Sequence, residues 1–135
     1  MKQAFNVPIR LEVGVRVKKT YYLNLNGYRN WQFQLSNQLK KLFKIKIASS
    51  IRELTPVTGT CKVTYTIYYP TKRAFDIDNI GSVIMKFTQD ALVELEILED
   101  DNYNFIDEIV IKFGGIDRDN PRCEVLLEER TDGQE

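Results

Sequence analysis

Apolar residues fall at every second position from Phe5 to Val17 (Phe5, Val7, Ile9, Leu11, Val13, Val15 and Val17), with mostly polar residues between them. That period predicts one long, half-buried β-strand with Arg10, Arg16 and Lys18 on its outward side. Asn26-Gly27, inside Tyr21–Tyr28, reads as a turn. The spacing then changes. Trp31, Leu35, Leu39, Leu42 and Phe43 predict a helix over about residues 30–46, with Lys40, Lys41, Lys44 and Lys46 in its later turns, where cations complement the helix dipole. Residues 48–59 read as a loop. Val63, Tyr65, Ile67 and Tyr69 alternate again, and Pro70 ends that strand.

A second helix is expected over roughly residues 79–95, with Asp78 as its N-cap and an apolar stripe of Ile80, Val83, Ile84, Phe87, Ala91, Leu92 and Leu95. Strands near 105–113 and 122–129 follow, joined by a turn containing Gly114-Gly115 and Asn120-Pro121. The tail from Thr131 to Glu135 is expected to fray. There is no internal repeat and no low-complexity segment. The expectation is an α+β domain spanning residues 1–135, a small mixed sheet of about four strands packed with two main helices.

Composition adds one asymmetry. The formal net charge is zero. Residues 1–75 nevertheless carry 14 Lys/Arg against 2 Asp/Glu, a balance of +12, and residues 76–135 carry 5 against 17, a balance of −12. The split suggests a polyanion-binding surface beside an acidic cluster, or simply two halves that attract each other. The chain has no histidine, which excludes Ser-His-Asp and Cys-His catalysis and His-ligated zinc. Cys61 and Cys123 lie in strand patterns without metal-ligand spacing and read as core thiols of a reducing compartment. No apolar run approaches membrane-spanning length, and Met1-Lys2-Gln3 leads into a strand rather than a signal peptide.

The chemistry-bearing residues cluster in one stretch. Asp76 and Asp78 flank Ile77 at a strand-to-helix junction. In extended backbone, positions i and i+2 project to one side, so both carboxylates can face one ion. Two such groups repel unless a cation lies between them, and oxygen ligands suit Mg²⁺. Asn79, Ser82, Lys86 and Asp90 form a polar stripe on the following helix. Lys86 can neutralise a transferring phosphate or protonate a leaving oxygen. Lys72-Arg73 precede the acids and Asp100-Asp101 follow the helix. Simpler roles exist for each residue: Asp78 as a plain N-cap, Lys86 as a solvated lysine, Asp100-Asp101 as a loop. A Ca²⁺-stabilised domain is disfavoured because no loop supplies six to eight oxygens.

At these residues the sequence resembles the RusA family of Holliday junction resolvases of bacteria and their phages. The shared order is a strand ending in Pro (Tyr69-Pro70), a basic stretch (Lys72-Arg73), Asp76-Ile77-Asp78-Asn79, a helix bearing Lys86 and Asp90-Ala91-Leu92, then Leu98-Glu99-Asp100-Asp101 before a strand. The specific motif covers residues 70–101. The N-terminal strand, Asn26-Gly27-Tyr28-Arg29 and the last two strands also fall in family order. The resemblance implies a bacterial or phage protein of the cytoplasm, a homodimer that cuts branched, four-way DNA with Mg²⁺, or Mn²⁺ in its place. Asp76, Asp78 and Asp101 would be the metal-binding catalytic acids and Lys86 the essential lysine. The alternative is a dimeric junction-binding protein without catalysis.

Lys18, Lys19, Arg29, Lys72, Arg73 and Asn79 are the candidate DNA contacts, since phosphate contacts fix register without reading sequence. Tyr65, Tyr69 and Phe5 are expected either in a subunit contact or in the core. Two departures from the family pattern stand out. Lys86 lies seven residues after Asn79, one helical turn further than usual, and Phe75 replaces a basic residue before the first Asp. The longer helix also strains the geometry. From Asn79 to Leu95 it spans about 24 Å, whereas the six steps to Asp101 return at most about 20 Å. Either the helix ends early, or Asp101 joins a site across a dimer interface.

Overall fold

Pro8 breaks the first alternating run. It has no N–H to give a ladder, and the computed structural model, which describes residues 1–130, has two short strands there rather than one long one. β1 (Lys2–Val7) joins the main sheet, and β2 (Arg10–Val13) leaves it to pair antiparallel with β3 (Lys19–Tyr22). Gly14 makes the turn possible. Its φ is +133°, and a Cβ there would lie 2.0 Å from the Val17 carbonyl oxygen. Only glycine tolerates that position. Val15 and Val17, predicted on the buried side of a strand, are 97% and 84% exposed at the hairpin tip.

Asn26-Gly27 is not a turn. Asn24 caps a short helix, α1 (Leu25–Asn30), by accepting from Gly27 N at 2.7 Å, so the Asn-Gly pair lies within the first helical turn. α2 (Phe33–Arg52) absorbs the start of the expected loop, and its buried stripe of Leu39, Phe43, Ile47 and Ile51 repeats every four residues. After β4 (Cys61–Tyr69), α3 runs over Ile77–Glu94 with Asp76, not Asp78, at the N-cap. β5 (Ile106–Ile116) and β6 (Arg122–Glu129) complete the chain. Residues 131–135, where fraying was expected, lie outside the described residues.

The result is a single α+β domain. Its main sheet has the order β1-β6-β4-β5, antiparallel except for the parallel pair β4–β5. A parallel neighbour requires a crossover, and α3 supplies it. α2 and α3 cover one face of the sheet. Val63, Tyr65 and Ile67 of β4 point into that layer at 0% exposure, and Phe43 and Phe87, also buried, meet edge to face with centroids 5.5 Å apart. Each such side chain contributes about 1.5–3 kcal/mol. Phe5 and Tyr65, weighed as subunit contacts, are core. Cys61 and Cys123 are buried free thiols, pushed up to about 11 and about 12 chiefly by that burial. They are six register steps apart on neighbouring strands, since Ile67 pairs with Cys123.

Candidate active site

α3 begins where β4 and the loop after it deliver Asp76. The head of the helix leaves backbone N–H groups free and favours negative charge. Asp76 keeps extended backbone (φ −84°, ψ 123°) and makes no side-chain cap bond. Asp78 lies in the first helical turn, so the extended geometry expected for the pair holds for Asp76 only. Both are exposed. Among the described residues no ion pair engages either carboxylate.

Asn79 has a structural task that the sequence did not suggest. Its Oδ1 accepts from Leu25 N at 3.0 Å, tying the start of α1 to the start of α3. The side chain is partly buried in this tie. Beside it opens a groove of about 710 Å³ lined by Tyr22, Asn24, Tyr69, Thr71, Arg73, Asp76 and Asn79, among others. Tyr69 stacks on Phe75 at 4.4 Å and lies 6.0 Å from Tyr22. Arg10 donates to the Tyr22 hydroxyl at 2.9 Å. Burial and the neighbouring Tyr22 push the Tyr69 hydroxyl up, while Arg73 and Arg10 pull it down. Phe75, standing where a basic residue was expected, is thus a stacking partner of the groove. Arg10, Tyr22, Asn24 and Thr71 were not candidates from sequence. Only the outward position of Arg10 in its strand hinted at a surface role.

Of the cations predicted for nucleic acid, Arg73 lines this groove. Lys72 and Arg73 are exposed in the loop before α3, Arg29 is exposed in the last turn of α1, and Lys18 and Lys19 lie on the hairpin. None of these, nor Arg10 or Arg16, is in an ion pair among the described residues. The lysines of α2 contrast with them. Lys44 bridges to Glu94 on α3, and Lys40 and Lys41 line a cleft with Asp90 and Glu94. Attraction between the two charge halves is thus realised between α2 and α3.

Asp101 does not reach this end of the molecule within one chain. Cys61 N donates to Phe105 O at 2.9 Å and Thr60 Oγ1 to Asn104 O at 2.9 Å, so the Asp100-Asp101 loop sits where β4 begins. Asp76 follows the other end of that nine-residue strand, about 26 Å away along it. Among the described residues no group of three acidic or thiol side chains is arranged to hold a metal. Asp100 is occupied locally, accepting from Asp101 N at 2.7 Å and from Asn102 Nδ2 at 3.0 Å. The Asp101 side chain stays exposed. It is near enough to Tyr65 to add to the upward push on that hydroxyl, after burial and the two cysteines. Tyr65 itself donates to Gln89 Oε1 at 2.9 Å. Lys86 is exposed eight residues past Asp78, about 12 Å further along the helix.

No protein-family model matches the chain, and no curated protein does. Function is therefore read from the groove. Asp76 and Asp78 offer oxygen ligands free of competing partners, which suits Mg²⁺, an ion that takes one or two carboxylates and keeps its other positions for water and phosphate oxygens. No helix among the described residues is long and apolar enough to cross a membrane.

Proposed function

We propose that the protein is a Mg²⁺-dependent, structure-selective endodeoxyribonuclease that cuts four-way DNA junctions as a homodimer. One observation carries this reading: two exposed carboxylates at the head of α3, with Lys72 and Arg73 just before them and none of the four in an ion pair among the described residues. Asp76 and Asp78 would hold the divalent ion, which would supply Lewis-acid polarisation of the phosphodiester and a more acidic attacking water. Arg73 and Lys72 hold the flanking phosphates, and Arg10 and Arg29 extend the track. Lys86 meets the strand further along α3.

A second copy supports the third carboxylate. β5 ends the sheet with an unpaired edge, and Ile77, Ile109, Phe113 and Ile116 are 37–49% exposed along it. Such an edge invites another strand. Antiparallel pairing about Ile111 sets Ile109 against Phe113 of the partner subunit. It also brings the partner's entry to β5, and with it Asp101 of the partner subunit, to the end of β5 that holds Phe75 and Asp76. Charge favours the match, because Glu99, Asp100 and Asp101 meet Lys72 and Arg73. A two-fold pair of sites is what two symmetric cuts require.

The test is incubation with a synthetic four-way junction and with linear duplex, with and without Mg²⁺. The expected result is paired nicks in the junction alone, only with the metal. Equal cutting of both substrates refutes selectivity. Tight junction binding without cutting in any metal favours a catalytically inactive junction-binding dimer. The outward position of Lys86, well along α3 from the acids, is the observation on that side.

A further inference from the structure

We propose that the tip of the β2–β3 hairpin is an apolar wedge that enters the branch point of the DNA and gives the protein its preference for junctions over duplex. This inference rests on the nuclease reading above. Residues 14–20 are exposed without interruption, and Val15 and Val17 are the most exposed large apolar side chains on the molecule, at 97% and 84%. Nothing among the described residues covers them. Both are β-branched and hold few rotamers, and the turn beneath them is set by Gly14, so the tip is a stiff projection.

Its surroundings indicate the partner. Arg16 separates the two valines, Lys18 and Lys19 follow, and Glu12 is the one acid on the hairpin. Apolar side chains ringed by cations match an anionic ligand with an apolar interior, which is a base stack between phosphate strands. Apolar side chains driven between base steps are a known means of bending DNA, at the cost of unstacking the step they enter. At a branch point stacking is already interrupted, so the same insertion costs less there than in continuous duplex. The stem is anchored at the other end, with Leu11 buried and Arg10 braced on Tyr22 in the groove. From Tyr22 to Lys18 is four strand steps, about 13 Å, or about four base-pair rises. That is the reach of the hairpin beyond Tyr22, which lines the groove together with Asp76.

The experiment uses the full chain in Mg²⁺-free buffer, with a four-way junction carrying 2-aminopurine beside the branch point and with a duplex of equal length. Wild-type binding should raise the 2-aminopurine fluorescence. A variant carrying Val15→Ser and Val17→Ser should keep its duplex affinity within about twofold, lose the fluorescence rise, and lose roughly tenfold in junction preference. An unchanged rise and preference overturn the wedge, as does an equal loss on both DNAs. Conversion to a monomer by the variant makes the tip a subunit contact and also overturns it. So does wild-type binding to anionic phosphatidylserine vesicles that the variant loses while its DNA binding is intact. A wild type that binds neither DNA sinks the nuclease reading as well. A wild type that cuts junctions beside an indifferent variant sinks the wedge alone.

Discussion

The two ends of α3 each hold a pair of aspartates in opposite surroundings. At the N-terminal end, Asp76 and Asp78 lie at the head of a helix in no ion pair among the described residues, with Lys72 and Arg73 just before them and Arg10 bonded to Tyr22 of the same groove. At the C-terminal end, Asp100 is spent on its own turn, and Asp101 sits among further acids, Glu96 and Glu99, with no lysine or arginine from residue 87 to residue 111. Phosphate chemistry needs metal ligands and cations together. One end has both and the other has only acids, and on the nuclease reading proposed above the second end would serve another copy's site rather than one of its own.

The sharpest way to break this contrast is to mix chains. Asp76→Asn or Asp101→Asn alone should each lower Mg²⁺-dependent junction cutting by about a hundredfold or more, the scale of losing an element of a metal site. Mixed, they should recover nicking, because each heterodimer contains one site with Asp76 from one chain and Asp101 from the other. A mixture that stays inactive, with junction binding intact by gel shift, places all the ligands in one chain. Tyr65→Phe is the next largest effect. It leaves the buried Gln89 carbonyl without its donor and should cost about 1–3 kcal/mol in urea unfolding. Asn79→Ala removes the tie to Leu25 and should cost about 1 kcal/mol, the size of a lost helix cap. The two variants should also part in function: Asn79→Ala weakens Mg²⁺ binding measured calorimetrically at the N-terminal end, and Tyr65→Phe does not.

The elements that bury their alternation were legible in the sequence. β4, β6 and the apolar stripe of α3 appear within one or two residues of where the pattern puts them, because period and burial coincide there. The hairpin was not. Val13, Val15 and Val17 continue the alternation of Phe5 to Leu11, and a period of two reports strand backbone without saying whether anything lies opposite. Pro8 and Gly14 were the marks of the break. Asn26-Gly27 misled because a turn signal and a capped helix start share residue types, and Asn24, three residues before the glycine, decided between them. Of the site, the free acids and their cations could be read directly from the motif. The remoteness of Asp101 was half visible as a chain too short to return. What completed it was the parallel pairing of β4 with β5, a long-range choice that no local spacing encodes.

The crossover has a consequence for how such a protein behaves when scarce. Each chain carries its two acidic pairs a whole strand apart, so on the nuclease reading a lone copy would own two incomplete half-sites. If the halves join only through a second copy, cutting fades faster than protein amount on dilution, approaching a square law. Newly made chains, still solitary, would then pose no threat to intact chromosomes.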